Sequence, residues 1–427
     1  MSECAEALAL HMVSRVPPSG AGILLLLMSD RLRPLVRNAV DVLPEGALVA
    51  RLDEAAAAGR PLRVKLGLDP TAVSVTLGWS VVLSKLAAFQ VAGHLPVLIV
   101  GDFTARVGDP SGKSKTRPML SPEQIAANEA DYLRQFAKIL DVDRIEIRHN
   151  SEWLNELGAG GLLDLASRST VARILERDDF SKRYAERAPI SLQELMYPLL
   201  QGYDSVAVAA DIEIGGTDQM FNLLVGRDLQ EQWGMPPQSI MTHELLVGTD
   251  GQQKMSQSLG NYVGLNDPPS EMFGKTMSIP DAAMPSWFRL ASGLPEDDVE
   301  ARIAALADGS LEPVEAKRAL AFAITARFHN EQAADQAADD FRRQFSEHQL
   351  PEQIRTVVLG PEALVHLPAL LVDYLGVASR GEARRLISSG AVRLEGETVA
   401  ELDLPRDVLV GRVLQRGRRD FVRLVTG

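Results

Sequence analysis

From Leu62 onward, short apolar runs alternate with longer amphipathic stretches. Arg63–Leu68 and Leu95–Val100 have the length and composition of buried strands, and Ser80–Ala92 between them is long enough for a crossover helix. Further strands are predicted at Ile145–Ile147, Ile212–Ile214 and Glu244–Val247. This alternation predicts an α/β fold with an open parallel sheet, in which ligands bind at the carboxyl ends of the strands.

The pattern changes after about residue 267. Alanine-rich amphipathic stretches such as Glu315–Phe328 and Ala333–Phe345 predict a helical domain. From Leu367, two short helical segments precede a stretch with strand character. We therefore predict three domains after an N-terminal extension. They are a parallel-sheet domain over residues 30–262, a helical domain over residues 263–350, and a linker with a small α+β domain over residues 351–427.

Composition narrows the class of protein. A length of 427 residues is enough for two to four domains at roughly 100 to 200 residues each. The single cysteine, Cys4, excludes an intramolecular disulfide and a cysteine-cluster zinc site. The net charge of -13 argues against indiscriminate binding of polyanions. From Glu362 to the end, however, 10 arginines outnumber 9 acids, which leaves a locally basic tail that can hold RNA.

The N-terminus carries an apolar run, Ile23–Met28, that is much shorter than the roughly 20 residues of a membrane-spanning helix. No small-residue cleavage site follows this run, so it does not have the form of a secretory signal. We interpret residues 1–29 as an extension that is either disordered or, if translation starts at Met28, largely absent. We expect no membrane anchor and a cytoplasmic location.

Two distant segments, GLDPTAVSVTLGWS and GQQKMSQSLGNY, resemble the ATP-handling motifs of class I aminoacyl-tRNA synthetases, known as HIGH and KMSKS. In the first segment, both histidines of the motif are replaced, by Thr76 and Trp79. In the second segment, Lys254 is kept and Gln257 replaces the second lysine. The resemblance implies that these segments contact ATP through Gly67, Asp69, Thr71, Gly78, Lys254, Met255 and Ser256, with Thr76, Trp79, Lys254 and Gln257 at the catalytic positions.

Three more segments occur in the order found in bacterial tyrosyl-tRNA synthetases: GDFTARVGDPSGKSKTRP, MYPLLQGYDSVAV and IGGTDQMFN. From about Asp30 to its end, the chain resembles that family. The resemblance implies a Rossmann-like catalytic domain, a helical anticodon-binding domain and a C-terminal RNA-binding domain.

The same resemblance implies roles for residues around a tyrosine. Asp109, Tyr197 and Gln201 would meet the amino group, while Asp204 would accept a hydrogen bond from the tyrosine hydroxyl. Lys113 and Arg117 would hold pyrophosphate. Gly216, Asp218 and Gln219 match positions that hold the ribose and the substrate carboxylate region. Lys65 stands where other members place a second phenol that binds the substrate hydroxyl.

These roles suit the chemistry of forming an aminoacyl adenylate. A carboxylate must attack the α-phosphate of ATP, so the protein positions two anions and stabilises the charge that builds on departing pyrophosphate. A buried acceptor such as Asp204 would be left unpaired by phenylalanine, which penalises that substrate on the order of 10⁴-fold in good cases.

Simpler interpretations remain open for single residues. The segment Gly108–Lys113 consists largely of turn formers, and it is not a Walker A loop because three residues rather than four separate its glycines. Asp204 can cap a helix, Tyr197 can be a core residue, and Trp79 can be a packed aromatic at a helix start.

The C-terminal run ASRGEARRLI, followed by GAVRL, resembles an RNA-binding module shared with a ribosomal protein. Arg380, Arg384 and Arg385 would line one helical side, where guanidinium groups can clamp phosphates. The alternative is a plain solvated face.

The resemblance as a whole implies a homodimeric tyrosine–tRNA ligase that uses tyrosine, tRNA(Tyr) and ATP with Mg²⁺, without a protein-bound metal. The altered motifs leave a second hypothesis. Since one lost donor can cost about 10² to 10³ in rate, the chain can instead be a paralogue with lost or altered ATP chemistry. Such a protein would act as a tyrosine- and RNA-binding regulator or in specialised metabolism.

Overall fold

The computed structural model describes residues 31–70, 75–110, 122–345, 354–417 and 420–426. The predicted N-terminal extension therefore lies outside the described residues. The described chain forms two compact units. The first contains the residues up to Asp267 together with Lys275–Phe328, and the second contains Pro268–Gly274 together with the residues from His329 onward. The domain boundaries predicted at residues 262 and 350 stay predictions.

A six-stranded sheet is the centre of the first unit. Its strands are β1 (Ala39–Leu43), β2 (Arg63–Leu68), β3 (Leu95–Val100), β4 (Glu146–His149), β5 (Ile212–Gly216) and β6 (Ser239–His243). Their order is β1-β6-β5-β2-β3-β4, with β1 antiparallel to β6 and every other neighbour parallel. The predicted parallel sheet is thus confirmed, with one antiparallel edge strand added.

Helices precede, connect and follow these strands along the chain. They are α1 (31–36), α2 (Ala47–Ala57), α3 (Trp79–Val91), α4 (Pro122–Phe136), α5 (Ser151–Leu154), α6 (Gly158–Ser167), α7 (Val171–Ile174), α8 (Asp178–Ala185), α9 (Leu192–Ala207), α10 (Met220–Gln232), α11 (Pro269–Met277), α12 (Met284–Leu290), α13 (Glu296–Ala307), α14 (Pro313–Phe328) and α15 (Glu331–Phe345). The two predicted amphipathic helices correspond to α14 and α15. Among the described residues, no helix is both long and apolar enough to span a membrane.

The predicted βαβ unit is confirmed almost to the residue. Strands β2 and β3 pair in parallel from Arg63 opposite Leu95 to Leu68 opposite Val100, and α3 connects them. Both strands are largely buried, which explains why continuous apolar runs marked them.

The strand predicted at Glu244–Val247 is wrong. The strand β6 ends at His243, and Leu245 beyond it is 36% exposed. All five residues of β6 are buried although three of them, Ser239, Thr242 and His243, are polar. The apolar run that suggested a strand therefore lies in the connection after it, and the true strand lacks the apolar signature on which the prediction relied.

The second unit contains the predicted sequence of two helices followed by strands. Its strands are β7 (Arg355–Leu359), β8 (Leu364–His366), β9 (Val392–Leu394), β10 (Glu397–Thr398), β11 (Asp403–Pro405), β12 (Val413–Arg416) and β13 (Asp420–Thr426), and its further helices are α16 (Leu367–Tyr374), α17 (Arg380–Ser388) and α18 (Arg406–Leu409). A five-stranded sheet has the order β10-β9-β12-β13-β7, and β8 pairs with β11. One apolar cluster, which includes Leu371, Ile387 and Leu414, forms its core.

The strand order of the six-stranded sheet reverses between β2 and β5. From β2 the chain proceeds outward through β3 and β4, and from β5 it proceeds the other way to β6. Ligands of open α/β sheets bind beyond the carboxyl ends of the strands at such a switch point. The predicted site residues should therefore gather where β2 and β5 end.

Candidate active site

Helix α9 presents three of the predicted residues from one side. Tyr197, Gln201 and Asp204 are four and three positions apart, a spacing that brings side chains onto one helical face. The helix begins after Ser191, whose side chain accepts a hydrogen bond from the backbone N–H of Glu194. This face lies towards the sheet, where Tyr197 and Asp204 are buried.

Asp204 is held by two donors from the chain after β4. The indole N–H of Trp153 donates to its Oδ1 at 2.8 Å, and the side-chain amide of Asn150 donates to its Oδ2 at 3.3 Å. Burial raises the pKa of Asp204 to about 7, against the lowering effect of the Lys65 charge and of these two hydrogen bonds. A carboxylate fixed in this way is a fitting acceptor for one hydroxyl of a ligand.

Asp69, at the carboxyl end of β2, faces the same space. It accepts hydrogen bonds from the hydroxyl of Thr104 at 2.8 Å and from the hydroxyl of Tyr197 at 3.0 Å. Burial raises the pKa of Asp69 to about 7, and the two hydrogen bonds oppose that rise. A Cβ on Gly101 would lie only 2.0 Å from Asp69 Oδ1, so this close approach requires glycine. The resemblance assigned Asp69 to ATP, and the structure places it against the tyrosine-side residue Tyr197.

Asp109 is a third carboxylate among the predicted site residues. Its Oδ1 accepts from the guanidinium of Arg177 at 3.2 Å, and its Oδ2 accepts from the side chain of Gln219 at 2.9 Å. Asn222 donates to both Gln201, at 2.8 Å, and Gln219, at 3.0 Å. These amides and charges form a connected polar wall that can orient a ligand with an amino and a carboxylate group.

Lys65 lies at 0% exposure beneath this wall. Its Nζ contacts the backbone carbonyl of Gln201, the hydroxyl of Ser205 and the carboxylate of Glu213. The structure therefore brings Lys65 against the 201–205 segment of α9.

The two altered ATP motifs meet in space. A Cβ on Gly78 would lie 3.5 Å from Thr76 Oγ1 and 3.7 Å from the Cβ of Met255. Thr76 is buried and forms a bridge with Gly264, while Trp79 is half-buried and opens α3. Segments that are far apart in sequence thus lie side by side, as an ATP site built from both would need.

The second motif is also tied to the end of β5. Lys254 Nζ lies 2.8 Å from Asp218 Oδ2, and a Cβ on Gly216 would lie 2.8 Å from Asp218 Oδ1. The backbone N–H of Ser256 donates to the side chain of Asn261 at 2.9 Å, which fixes the segment before the half-buried Gln257. A cation therefore stands beside the carboxyl edge of the sheet.

The remaining predicted residues are distributed as follows. Gly67 lies in β2, and a Cβ there would meet no atom within 4 Å, which leaves open space beside the strand. Thr71, Lys113 and Arg117 lie outside the described residues. In the second unit, Arg380, Arg384 and Arg385 are all exposed on α17, which begins after its capping residue Ser379.

Sequence reasoning missed five residues that shape the site. They are Thr104, Asn150, Trp153, Arg177 and Asn222. Asn150 comes directly after β4, so the rule that parallel strands end at the ligand site could have marked it. Within the described ranges there is no group of three or more His, Cys, Asp or Glu side chains arranged to hold a metal ion.

Comparisons with known proteins identify the family of this chain. The family model of class I tRNA synthetases (W and Y) matches residues 57–346. The chain is 48% identical over 399 residues to a tyrosine–tRNA ligase of Moorella thermoacetica, covering 93% of this chain and 96% of that protein. It is 45% identical over 398 residues to the tyrosine–tRNA ligase of Thermotoga maritima, covering 93% and 98%.

A solved structure of similar fold is the tyrosyl-tRNA synthetase of Archaeoglobus fulgidus, complexed with L-tyrosine. Its TM-score to this chain is 0.58 at 23% identity, covering 73% of this chain and 99% of that one. That likeness supports the Rossmann-like fold.

Proposed function

The chain belongs to the class I tRNA synthetases of the W and Y group, and from this premise we infer that it is a tyrosine–tRNA ligase. It activates tyrosine with ATP to tyrosyl-adenylate and transfers the tyrosyl group to tRNA(Tyr). Curated relatives that match more than nine-tenths of the chain carry that name. They do not favour the alternative of a regulator or a protein of specialised metabolism.

The observation that carries the choice of tyrosine is the buried carboxylate of Asp204. It is only 3% exposed, and Trp153 and Asn150 hold it in one orientation. A tyrosine hydroxyl can donate to this carboxylate in addition to these two donors, whereas phenylalanine would keep water away from the carboxylate without supplying a donor of its own. We assign Asp109, Tyr197, Gln201 and Gln219 to the amino and carboxylate end of the same ligand, because their polar atoms form the opposite wall.

We propose that ATP binds at the carboxyl edge of β2 and β5. We assign Gly67, Asp69, Gly78, Gly216 and Asp218 to this site, together with Thr71, which follows β2 in sequence. Lys254, Met255 and Ser256 approach from the second motif, with Thr76, Trp79 and Gln257 at the positions of the altered residues. We propose that ATP enters as its Mg²⁺ complex, with the metal held by phosphates, since Mg²⁺ is usually bound through substrate phosphates.

Pyrophosphate release needs cations near the departing charge. Lys254 supplies one, and its ion pair with Asp218 holds it at the sheet edge. On the basis of the sequence, we propose that Lys113 and Arg117 supply two more. These cations offset part of the loss of the histidines and of the second lysine in the motifs.

Two further features complete the proposal. Large apolar side chains are exposed on α6 to α9: Leu163 at 72%, Val171 at 62%, Tyr184 at 68% and Leu192 at 82%. A second copy of the chain is their proposed partner, in a cytoplasmic homodimer. In the second unit, Arg380, Arg384 and Arg385 form an exposed basic face on α17 that we assign to tRNA, alongside a helical anticodon-binding region.

Tyrosine-dependent exchange of labelled pyrophosphate into ATP tests the first half of the reaction. We expect exchange with tyrosine and, at equal concentration, at least about 10³-fold less with phenylalanine. Tyrosine binding without exchange would overturn the ligase assignment in favour of the paralogue. In that event, Thr76→His, Trp79→His and Gln257→Lys together should restore exchange. Charging of tRNA(Tyr) with labelled tyrosine then tests the second half.

A further inference from the structure

Lys65 and Glu213 are direct neighbours on the two strands that form the switch point. They occupy paired register positions on β2 and β5, and their side chains are 0% and 1% exposed. Lys65 Nζ lies 2.9 Å from Glu213 Oε1. A buried ion pair of this kind costs desolvation of both charges, and removing either partner leaves the other uncompensated.

All three N–H groups of the Lys65 ammonium have an acceptor within the protein. An ammonium group has three N–H donors. Its three acceptors are Glu213, the backbone carbonyl of Gln201 at 3.0 Å and the hydroxyl of Ser205 at 2.7 Å. With these contacts made, Lys65 has no donor left for a substrate hydroxyl, so its influence on the ligand must pass through its neighbours.

Four donor groups face the carboxylate of Glu213. Its Oε2 accepts from Ser205 at 2.9 Å and from the side chain of Gln238 at 2.6 Å. Its Oε1 faces Lys65 and lies 3.5 Å from the side-chain nitrogen of Gln201. A Cβ on Gly226 would lie 2.8 Å from Gln238 Nε2 and 2.9 Å from Ser205 Oγ, so glycine lets α10 close over this cluster.

Lys65 and Glu213 both contact Gln201 and Ser205, in the part of α9 that faces the proposed ligand. Ser205 directly follows Asp204, and Gln201 lies one helical turn before Ser205. We propose that Glu213 and Lys65 are positioning residues for tyrosine selection: as a pair they fix the 201–205 segment of α9 so that Asp204 meets the substrate hydroxyl. The inference rests on the proposed function. Neither residue touches the substrate in it.

Because Lys65 and Glu213 carry opposite charges, they should have opposite effects on the pH dependence of tyrosine binding, which a contribution from packing alone would not have. The charged or titratable groups around Asp204 are Lys65 on β2, Glu213 on β5, Asp69 after β2, and Tyr197 on α9. Burial is the largest effect and raises the pKa of Asp204. The Lys65 charge lowers that pKa, and the Glu213 charge raises it. The pH at which tyrosine affinity has fallen halfway, here called the midpoint, should therefore move down when Glu213 loses its charge and up when Lys65 loses its charge.

The experiment is tyrosine binding by calorimetry between pH 5.5 and 8.5 for the wild type, Glu213→Gln and Lys65→Met. Wild-type affinity should fall below about pH 7, as Asp204 becomes protonated. Glu213→Gln should move this midpoint down, and Lys65→Met should move it up, each on the order of one pH unit. The double variant should return towards the wild-type midpoint because the two effects oppose each other.

Glu146→Gln is the matched control. Glu146 and Arg63 form a 2.8 Å ion pair at the amino-terminal ends of β4 and β2, and Glu146 is not one of the charged groups around Asp204, so Glu146→Gln should leave the midpoint in place. Glu213→Gln keeps the size and one acceptor of the side chain, so it tests the inference even if Lys65→Met fails to fold.

Folded variants with an unmoved midpoint, or with both midpoints moved the same way, would overturn the inference while wild-type binding and exchange still support the ligase. A wild type that binds no tyrosine would overturn both.

Discussion

The hydroxyl of Tyr197 donates to the carboxylate of Asp69 at 3.0 Å, joining α9 to the carboxyl end of β2. Thr104, from the turn after β3, donates to the other oxygen of the same carboxylate. Asp69 therefore connects three parts of the chain that meet only in the folded state. The geometry of the proposed tyrosine pocket depends on this junction.

Gly101→Ala should dismantle the junction. The new methyl group would lie 2.0 Å from Asp69 Oδ1 and 2.4 Å from Thr104 Oγ1, and neither side chain can stay in place. We expect loss of at least about 1–3 kcal/mol of stability and loss of measurable tyrosine binding. Urea unfolding and calorimetry measure the two effects.

Gly160→Ala is the control for that substitution. Gly160 lies in α6, where a Cβ meets no atom within 4 Å. Alanine there should be neutral or stabilise the protein by about 0.5–1 kcal/mol, because it favours the helix. If Gly101→Ala behaved like this control, the close approach around Asp69 would be incorrect.

Asp204→Asn should stabilise the protein at alkaline pH while weakening tyrosine binding. Burial raises the pKa of Asp204 from 3.8 to about 7, so the folded state binds more protons than the unfolded state between those values. Stability therefore falls as pH rises from about 4 to about 7 and is level above. The variant lacks this loss and should exceed the wild type by roughly 1–3 kcal/mol at pH 8, with a smaller gain at pH 5.8. Urea unfolding at both pH values measures the difference. An equal gain at both would contradict a raised pKa.

The sequence predicted those parts of the fold that burial alone determines. Strands β2 and β3 are covered on both faces, so their apolar runs mark their bounds. The strand β6 is just as buried, but three of its five residues are polar. The hydrogen bond from Thr242 to Asp41 shows why: its partner is 201 positions away. No local pattern can reveal such a partner.

The candidate site likewise contains residues that the sequence predicted and partners that only the folded chain brings to them. Asp204 and Tyr197 were predicted because their segment resembles a known pocket, whereas Trp153, which orients Asp204, lies 51 positions away on another element. Lys65 was predicted from its alignment with a ligand-contacting position. Its three acceptors depend on the pairing of β2 with β5, which appears only in the assembled sheet.

Lys254→Met should slow pyrophosphate exchange without weakening tyrosine binding. The side chain is exposed at the sheet edge, and its ion pair with Asp218 lies in the proposed ATP site. We expect pyrophosphate exchange to fall about 10²- to 10³-fold, with the dissociation constant of tyrosine unchanged. Lys275→Met, which breaks a 2.8 Å ion pair with Asp267, is the control and should leave exchange near the wild-type rate. Equal losses in both variants would point to a general effect of lost charge.

Leu192→Glu should convert the proposed homodimer to monomers. Leu192 is 82% exposed at the start of α9, and a charge in a desolvated interface raises the dissociation constant on the order of 100-fold or more. Sedimentation velocity across a range of concentrations measures the change. Val91→Glu, at an 89% exposed position on α3, should leave the dimer intact. A monomeric wild type would refute the assignment of this surface to a second copy.

Arg384→Gln should weaken tRNA binding through the loss of one phosphate contact. Arg384 is exposed on α17, and releasing one fewer counterion should lower the slope of log affinity against log salt by about 0.7–0.9. Filter binding of tRNA(Tyr) between about 50 and 200 mM salt measures the slope. Arg423→Gln replaces an exposed arginine on β13, outside the two runs that resemble the RNA-binding module, and is the control, with an unchanged slope. Because the proposed tyrosine and ATP sites lie in the first unit, pyrophosphate exchange should stay at the wild-type rate in both variants. A normal slope in Arg384→Gln would mean that α17 presents only a solvated face.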